Sequence, residues 1–584
     1  MSIQITVKGG ADDAFIAWEA DFIPKCRGFA LYRRVKRAKG SAASPNTVAN
    51  AADGFAEEIV ASWVGFADGP DVAEGTRRPT TIWPIQKYLW SDFAVNAGDE
   101  VAYRVVPMVG SRESLQQDDA NGSDWSETVI IGPAKRANLS CYFNRGIVAT
   151  QWLARLLPKA ADPKEDERLK GAKLRQIIGK RGDPIRNFLG GGLREKMLAL
   201  LDEAIDEKRH VYAALFELND PELVDRLALL KKRAHVVLGN GSVKKKGEDA
   251  NKDARAKLAG LCDVRDRFSA PRALAHNKFL VLCDDARAPK AVWTGSTNWS
   301  MTGLCTQGNN GVFIKSASLA KEYLAQWKAL ADAGDATPDG LRAEDDRPRH
   351  AKNVTLWFTP LDDQGELNEA RELIHGAQQG VLFAMFNPGP RGSLLNDIIE
   401  LASPASAQYK PDLYIQGVVN QNPGTEKNPV TLFNRGSRID ANADVVLPAA
   451  IDAPSKFFQR ELKKLPGAFA MIHSKVVVVD PFGDNPIVIT GSHNLGPKAS
   501  AVNDENLLIV RDEPFVAAQY ATKIMEVYNQ YRWRASQSNT PQEKRWTGLA
   551  DSDSWQIGAP GADAGTQAYD RRRRRELDFW FGRG

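Results

Sequence analysis

Two stretches of the chain share one pattern: His276-Asn277-Lys278 with Thr294-Gly295-Ser296-Thr297-Asn298, and His473-Ser474-Lys475 with Thr490-Gly491-Ser492-His493-Asn494. In each stretch the lysine is followed by an apolar run, which is typical of a buried strand. A histidine and a lysine two residues apart share one face of a strand, so both side chains point into the same cavity. Two copies of this pattern in one chain predict an internal structural repeat.

The repeat extends to the segments that precede each motif. In each half a helical period leads to an apolar strand, and a second apolar strand follows before the histidine. The helix, first strand and second strand are residues 200–205, 211–216 and 234–238 in one half, and 372–377, 381–386 and 413–418 in the other. Continuous apolar strands between helices predict a sheet covered on both faces, hence two α/β lobes.

The whole sequence divides into four segments. The region 95–107 alternates apolar and polar residues around a Gly-Asp turn, which predicts antiparallel strands. We therefore expect a multidomain chain: an all-β sandwich over 1–133, α/β lobes over 137–345 and 346–533, and a flexible tail over 534–584 carrying an arginine run. The lobes are expected to have mixed sheets flanked by helices and to form a pseudo-dimer, with the site at their interface.

Composition sets broad limits on function. The 584 residues are 43% hydrophobic and 26% charged, which excludes bulk disorder. A net charge of +4 permits an anionic substrate without requiring one. The five cysteines contain no CxxC pair, which predicts neither a disulfide framework nor a zinc site. The sequence shows neither a secretory signal nor an 18-residue apolar run, so a cytoplasmic location is expected.

The residue types in the two motifs suit attack on a phosphodiester. Lysine supplies a point charge, and serine and asparagine supply donors for the non-bridging phosphate oxygens. One imidazole can attack phosphorus and hold a covalent intermediate. A second, protonated imidazole can give its proton to the leaving oxygen and then activate water, and the two histidines should titrate as a coupled pair. This scheme requires no metal and no cofactor.

These motifs resemble those of the phospholipase D, or HKD, superfamily, and the chain is similar to a two-repeat member over residues 137–530. The resemblance implies that His276 is the nucleophile and His473 the general acid and base. It also implies a phosphate cradle made of Lys278, Lys475, Asn298, Asn494, Ser296 and Ser492. The N-terminal sandwich is similar to a fibronectin type III module, because Trp18 lies on an early strand and Tyr103 follows the turn at Gly98-Asp99.

Two departures from the family pattern stand out. Cys283 occupies the usual position of an acid in the first copy and Asp284 follows one place late, whereas Asp480 is in register. Both aspartates are expected to be structural. Glu505 looks like the partner that orients an imidazole. The matching position in the first repeat is Asn309, so the first histidine is expected to have a neutral partner.

The substrate is left open between alternatives. The leading hypothesis is hydrolysis or transfer at phospholipid head groups, because two fused repeats are common in the lipid-acting branches that this chain resembles. The rival is a nuclease acting on DNA or RNA. A third hypothesis, of another class, is a binding or scaffold protein with a vestigial site. His493, inside the second motif, is expected to support its loop rather than to contact substrate.

The other partners are also expectations. The sandwich is expected to bind an unknown protein partner. The run Arg571–Arg575, followed by Phe579, Trp580 and Phe581, allows two alternatives. The tail can contact an anionic membrane or nucleic acid, or it can dock its aromatic side chains on the body of the protein.

Overall fold

The structure is a computed structural model that describes the chain outside a few segments. Those segments are residues 1–2, 39–46, 51–52, 133–137, 272, 434–441, 453–454, 463–470, 557–562 and 584. The predicted boundary between sandwich and first lobe, at 133–137, lies outside the described residues. Within them, no helix is both long enough and apolar enough to cross a bilayer.

The N-terminal region consists of antiparallel sheets. A three-stranded sheet has the order β1-β2-β8, a larger sheet has the order β10-β9-β3-β5-β4 with β11 beside β9, and β6 pairs with β7. Trp18, Phe29 and Tyr103 pack in one buried cluster contributed by both larger sheets. The fibronectin type III likeness stays a prediction. The strands are β1 Gln4–Gly9, β2 Ala14–Glu19, β3 Cys26–Lys36, β4 Thr47–Asn50, β5 Ala56–Ile59, β6 Ala61–Ser62, β7 Arg78–Pro79, β8 Leu89–Asp92, β9 Glu100–Ser111, β10 Ser114–Gln117 and β11 Val129–Ile130.

The first lobe is a seven-stranded mixed sheet with the order β12-β18-β17-β16-β13-β14-β15. Its strands are β12 Leu139–Phe143, β13 Val211–Leu215, β14 Ala234–Gly239, β15 Asp263–Arg267, β16 Lys278–Cys283, β17 Pro289–Gly295 and β18 Asn310–Ile314. Its helices are α1 Thr150–Leu156, α2 Pro163–Gly179, α3 Pro184–Asp206, α4 Pro221–Leu230, α5 Lys252–Leu258, α6 Met301–Cys305 and α7 Ala317–Ala333. Strands β13, β14 and β15 run parallel to one another, and the other pairings are antiparallel.

The second lobe repeats this arrangement with one added edge strand, in the order β19-β20-β26-β25-β24-β21-β22-β23. Its strands are β19 Arg349–Ala351, β20 Val354–Thr359, β21 Gly380–Met385, β22 Tyr414–Val419, β23 Ala443–Val446, β24 Lys475–Val479, β25 Ile487–Gly491 and β26 Glu505–Arg511. Its helices are α8 Asp339–Asp345, α9 Gly365–His375, α10 Leu394–Ala402, α11 Pro497–Val502 and α12 Pro514–Asn539. The predicted fold class is therefore confirmed.

Side chains of the histidine-lysine strands alternate between two cores. Along β24, Val476 and Val478 enter a cluster shared by both lobes, whereas Val477 and Val479 enter the cluster under the outer helices of lobe 2. Strand β16 alternates in the same way between the shared cluster and the outer core of lobe 1. This period-two division holds both sheets against a common interior and brings the lysine-bearing strand ends together.

The two aspartates after these strands differ in what they hold. Asp480 accepts hydrogen bonds from the backbone N–H groups of residues 378, 379 and 380, and so ties β24 to the start of β21. Asp284 accepts from the N–H of Ala288 and pairs with Lys290, within its own hairpin. Cys283, whose N–H donates to the His210 carbonyl, takes the structural place of Asp480, whose N–H donates to the Gly380 carbonyl, so Asp284 lies one place beyond it.

The C-terminal segment packs on the body of the protein, in contrast to the predicted flexible tail. Helix α12 continues past the predicted boundary at 533–534, and Trp555 then donates a hydrogen bond to the Cys26 carbonyl of the sandwich. A last helix, α13 Asp563–Phe581, buries Leu577, Phe579 and Trp580 in the shared cluster. The Trp580 ring stacks on Phe15 at 3.9 Å between centroids. Burial of these large apolar side chains favours the docked alternative.

Candidate active site

The two motifs meet at one cleft between the lobes. The cleft has a volume of about 840 Å³, and His276, His473, Asn298 and Asn494 all line it. The histidines are almost completely buried, at 3% and 4% exposure. The structure thus brings the two predicted half-sites together at the lobe interface, as the sequence predicts.

The first histidine is oriented by a carboxylate from the other lobe. His276 Nδ1 lies 2.7 Å from Glu505 Oε2 at the start of β26. A carboxylate that faces Nδ1 takes its N–H, which leaves Nε2 as the free lone pair. Asn503 also donates to Glu505, at 3.1 Å, and fixes the carboxylate. Glu505 therefore orients an imidazole as predicted, but the imidazole belongs to the first repeat.

The second histidine is oriented by neutral acceptors. His473 Nδ1 lies 2.9 Å from Asn309 Oδ1 and 3.1 Å from the Ser296 carbonyl oxygen, both in lobe 1. A backbone carbonyl only accepts, so Nδ1 carries the proton and Nε2 is free to be protonated or deprotonated. The expectation that the first histidine has the neutral partner is wrong. The reason is that each lobe supplies the partner for the histidine of the other lobe.

The lysines of both motifs lie beneath the histidines in matching surroundings. Each Nζ donates to the backbone carbonyl of its own motif histidine. Lys278 Nζ lies 5.1 Å from the centre of the Phe216 ring, and Lys475 Nζ lies 4.7 Å from that of Phe386. The same two rings pack against the histidines, so each phenylalanine fixes a whole half-site. Sequence reasoning missed both rings, although each ends a repeated strand.

Burial dominates the electrostatics of the site. It lowers the pKa of His276 to about 4, with Glu505 partly opposing it, and lowers the pKa of Lys278 to about 7. Burial also lowers the pKa of His473 and of Lys475, each further depressed by the neighbouring cations. Burial by itself would raise the pKa of Glu505, but the His276 and Lys278 charges more than offset it. Burial thus disfavours the charged forms of these histidines and lysines, and a nearby anion would favour them.

The asparagines and serines of the motifs take different positions. Asn298 and Asn494 line the cleft, and the side-chain oxygen of each is buried without a hydrogen-bond partner. Ser296 and Ser492 are fully buried and do not line the cleft. Ser296 Oγ donates to Asn309 Oδ1 at 2.8 Å, and Ser492 Oγ accepts from the Asn506 N–H at 3.0 Å. The serines therefore support the orienting strands rather than occupy the predicted position of a phosphate contact.

Two further groups border the site, and of these Glu217 was not predicted there. Glu217 lies in the cleft wall, where its carboxylate accepts from Asn298 Nδ2 at 2.9 Å. His493 is fully buried behind the cleft, with Nε2 3.2 Å from Glu366 Oε1, and its Nδ1 accepts from the Leu495 N–H. This placement agrees with the expected supporting role of His493. Glu217 has no motif signal, since its counterpart in the other repeat is Asn387.

One group of side chains elsewhere has the spacing of metal ligands. His375, Asp397 and Glu400 lie on α9 and α10, outside the cleft lining, with their ligand atoms within 4.8 Å of one another. Arg371 Nε already donates to Asp397 at 2.8 Å. The arginine supplies the positive charge that a cation would bring, so this group is not assigned to the site.

Fold and site together define a two-lobed protein with paired histidine-lysine half-sites in one interfacial cleft. Residues 198–331 and 434–528 match the family model described as "Cardiolipin synthase, PLD-like domain". One matched segment lies in each lobe, and each contains a histidine-lysine motif. The chain thus carries a phospholipase D-like domain in two segments.

The chain is also similar to several solved structures. Phosphatidylserine synthase from Haemophilus influenzae Rd KW20 is 13% identical with a TM-score of 0.40, over 61% of this chain and 89% of that one. The phospholipase D family member Nuc from Salmonella typhimurium is 21% identical with a TM-score of 0.21, over 25% and 90%. Yeast tyrosyl-DNA phosphodiesterase is 11% identical with a TM-score of 0.30, over 53% and 86%. The search of curated protein sequences gave no match.

Proposed function

We propose that the chain is a metal-independent phosphodiesterase that works through a phosphohistidine on His276. The observation that carries the proposal is the anchoring of both imidazoles through Nδ1, which leaves two Nε2 atoms for chemistry in one cleft. Glu505 stabilises the positive charge that develops on His276 as it attacks. The neutral Asn309 leaves His473 free to exchange a proton.

The reaction has two steps. His276 Nε2 forms a bond to phosphorus while the bond to the leaving alcohol oxygen breaks, and His473 gives that oxygen its proton. His473 Nε2 then takes a proton from water, the resulting hydroxide bonds to phosphorus, and the bond between phosphorus and His276 breaks. An alcohol in place of water gives transfer. Asn298 and Asn494 hold the non-bridging oxygens throughout, and the charges of Lys278 and Lys475 stabilise them from beneath the histidines.

The substrate proposed is a phosphodiester of the phospholipid head-group type. Apart from the catalytic groups, the cleft wall combines apolar side chains, such as Leu274 and Met471, with several amides. Among the described residues, the arginine and lysine side chains of this lining are Arg391 and Lys498, and both are exposed. A groove that follows a nucleic-acid backbone carries a denser line of cations.

One loop supports nucleic acid as a second candidate substrate. Lys244, Lys245 and Lys246 are exposed and follow Ser242, which lies in the cleft wall. Replacing all three lysines by alanine should weaken DNA or RNA cleavage and its salt dependence if this candidate is correct. Contact of the exposed Arg571 and Arg574 with an anionic membrane or nucleic acid also remains a proposal.

The proposal is tested with bis(p-nitrophenyl) phosphate in the presence of EDTA. We expect wild-type activity to persist in EDTA and to vanish in His473→Ala, whereas the control His350→Ala, at an exposed histidine of lobe 2, keeps it. Phosphatidyl lipids and single- and double-stranded DNA are then compared. Activity abolished by EDTA contradicts the mechanism, and inertness toward all these substrates favours the scaffold alternative.

A further inference from the structure

Glu217 is held firmly in the wall of the cleft on the lobe 1 side. It follows β13 and Phe216, and its backbone carbonyl accepts from the Trp299 N–H at 3.1 Å. The next residue, Leu218, forms a bridge with Trp299, and Asn219 N–H donates to the Trp299 carbonyl at 3.0 Å. The segment is thus fastened to the loop that carries Asn298, and the direction of the Glu217 side chain is fixed.

The carboxylate of Glu217 has capacity to accept further hydrogen bonds. Its Oε2 accepts from Asn298 at 2.9 Å, and its Oε1 accepts from Ser242 Oγ at 3.0 Å. Each oxygen of an ionised carboxylate accepts about two hydrogen bonds, so acceptor positions remain. Among the ion pairs of the described residues none involves Glu217, and its side chain is partly exposed toward the cleft. A half-buried carboxylate without a cation in contact is a binding group for one.

The two ends of the cleft differ in charge at equivalent places. Where lobe 1 has Glu217 after Phe216, lobe 2 has the neutral Asn387 after Phe386, and the cations Arg391 and Lys498 lie on that side. A carboxylate next to a phosphate site repels a second phosphate. It attracts a group that is cationic or rich in hydrogen-bond donors. The position beside Glu217 therefore does not suit a second phosphate, although Lys244, Lys245 and Lys246 follow Ser242 in the same lobe.

We propose that Glu217, with Ser242 and Asn219, forms a subsite for the ammonium group of an amino-alcohol substituent on the phosphodiester. This inference rests on the proposed phosphodiesterase function and specifies its substrate: a diester of the phosphoethanolamine type. Glu217 accepts a charge-assisted hydrogen bond from the ammonium, while Asn298, bonded to the same carboxylate, contacts the phosphate. The two contacts fix the distance between nitrogen and phosphorus in the substrate.

A simpler role for Glu217 is balancing the charge of the buried lysines and positioning Asn298. Its charge partly opposes the lowering, by burial, of the pKa of both Lys278 and Lys475. In that role, loss of Glu217 would slow the hydrolysis of every diester by a similar factor. In the subsite role, loss of Glu217 slows specifically the hydrolysis of the ammonium-bearing diester. The ratio of two kcat/KM values separates these roles.

The test compares glycerophosphoethanolamine with its propyl isostere, in which a methyl group replaces the ammonium. Glu217→Gln keeps the shape, and Glu217→Asn gives lobe 1 the amide that lobe 2 carries. The ratio of kcat/KM for the amine over the propyl diester should fall roughly tenfold to a hundredfold in both variants. Glu207→Gln, at an exposed helix end, should leave the ratio unchanged. An unchanged ratio in Glu217→Gln overturns the subsite.

Failure of the proposed function would be recognised separately. Wild-type protein inert toward both diesters contradicts the phosphodiesterase proposal. In that case calorimetric binding of glycerophosphoethanolamine to wild type and Glu217→Gln still decides the subsite. Binding weakened about tenfold or more in the variant supports the subsite, and equal affinity or no binding to wild type overturns it. Equal thermal unfolding temperatures of the two proteins show that the variant is folded.

Discussion

The two half-sites have the same strand arrangement and the same motif residues. They differ in one residue, the one that orients the histidine. His276 faces the carboxylate of Glu505, whereas His473 faces the amide of Asn309 and a backbone carbonyl. Glu505 and Asn309 occupy equivalent places, at the start of β26 and just before β18. In the proposed mechanism, this one difference separates a nucleophile that carries developing positive charge from a histidine that exchanges protons.

The difference also shows why the lobes must act together. Each orienting residue crosses the interface to the histidine of the other lobe, and Asn506 Nδ2 donates to Asn277 Oδ1 across the same interface at 2.9 Å. Arg267 of lobe 1 forms a buried ion pair with Asp504 of lobe 2, next to Glu505. Neither lobe by itself supplies both a motif histidine and the residue that orients it, so each half-site needs both lobes.

The largest effect expected is loss of either histidine. His276→Ala removes the group that forms the bond to phosphorus, and His473→Ala removes the proton donor, so each should lower kcat by at least about a thousandfold. Steady-state hydrolysis of bis(p-nitrophenyl) phosphate measures both. Near-wild-type activity in either variant would remove that histidine from the mechanism.

Replacing the residues that orient the histidines should give smaller losses of activity, and the two losses should be unequal. Glu505→Gln keeps the shape but removes the charge that holds His276, and a loss on the order of a hundredfold in kcat is expected. Asn309→Ala leaves the Ser296 carbonyl as an acceptor for His473, so a loss of about tenfold is expected. If the two variants lost activity equally, the division of roles between the half-sites would be wrong.

The pH dependence should follow the buried lysine. Lys278 has its pKa lowered by burial to about 7, so it is protonated below that pH and loses its charge above it. Burial lowers the pKa of His473, so its deprotonation acts in the same direction but at lower pH. We expect kcat/KM to fall as pH rises through about 7, measured from pH 5.5 to 9 at constant ionic strength. A kcat/KM that rises across this range would show that neither charge is needed for binding or catalysis.

A substitution in the docked C-terminal helix α13 is expected to change catalytic activity least. Trp580→Ala removes a fully buried ring that stacks on Phe15, at a cost of about 3–5 kcal/mol in stability. The thermal unfolding temperature and the protection of α13 from hydrogen exchange should fall, while kcat at low temperature changes little. Arg574→Ala, exposed on the same helix, is the matched control and should change stability by less than about 0.5 kcal/mol. Unchanged protection of α13 in Trp580→Ala would show that the ring does not hold the helix.

The sequence predicts the lobes and their meeting point because these depend on local patterns. The continuous apolar run after each histidine-lysine motif predicts strands β16 and β24. The exchange of partners between lobes has no local signal, since Glu505 and Asn309 each follow the motif of their own repeat. Which imidazole each one reaches depends on how two sheets pack across an interface.

Other features were missed for related physical reasons. Phe216, Phe386 and Glu217 follow strands as ordinary residues, and their importance comes from the cleft that closes around them. The tail was expected to be flexible because its composition is polar, yet a few buried aromatic side chains are enough to dock it. The one-residue offset of Asp284 is visible in the sequence, but its consequence, that Asp284 holds its own hairpin instead of the neighbouring strand, is not.

The most direct test of the account is to find which histidine carries the phosphoryl group. His473→Ala protein, mixed with a diester that has a good leaving group, such as bis(p-nitrophenyl) phosphate, and quenched in base to preserve phosphohistidine, is digested and analysed by mass spectrometry. Because this variant lacks the base that activates water, the intermediate should accumulate on His276. We also expect no phosphoryl group on the His276→Ala protein, and none on His473. A phosphoryl group found on His473 in the wild-type protein or in His276→Ala would contradict the assignment.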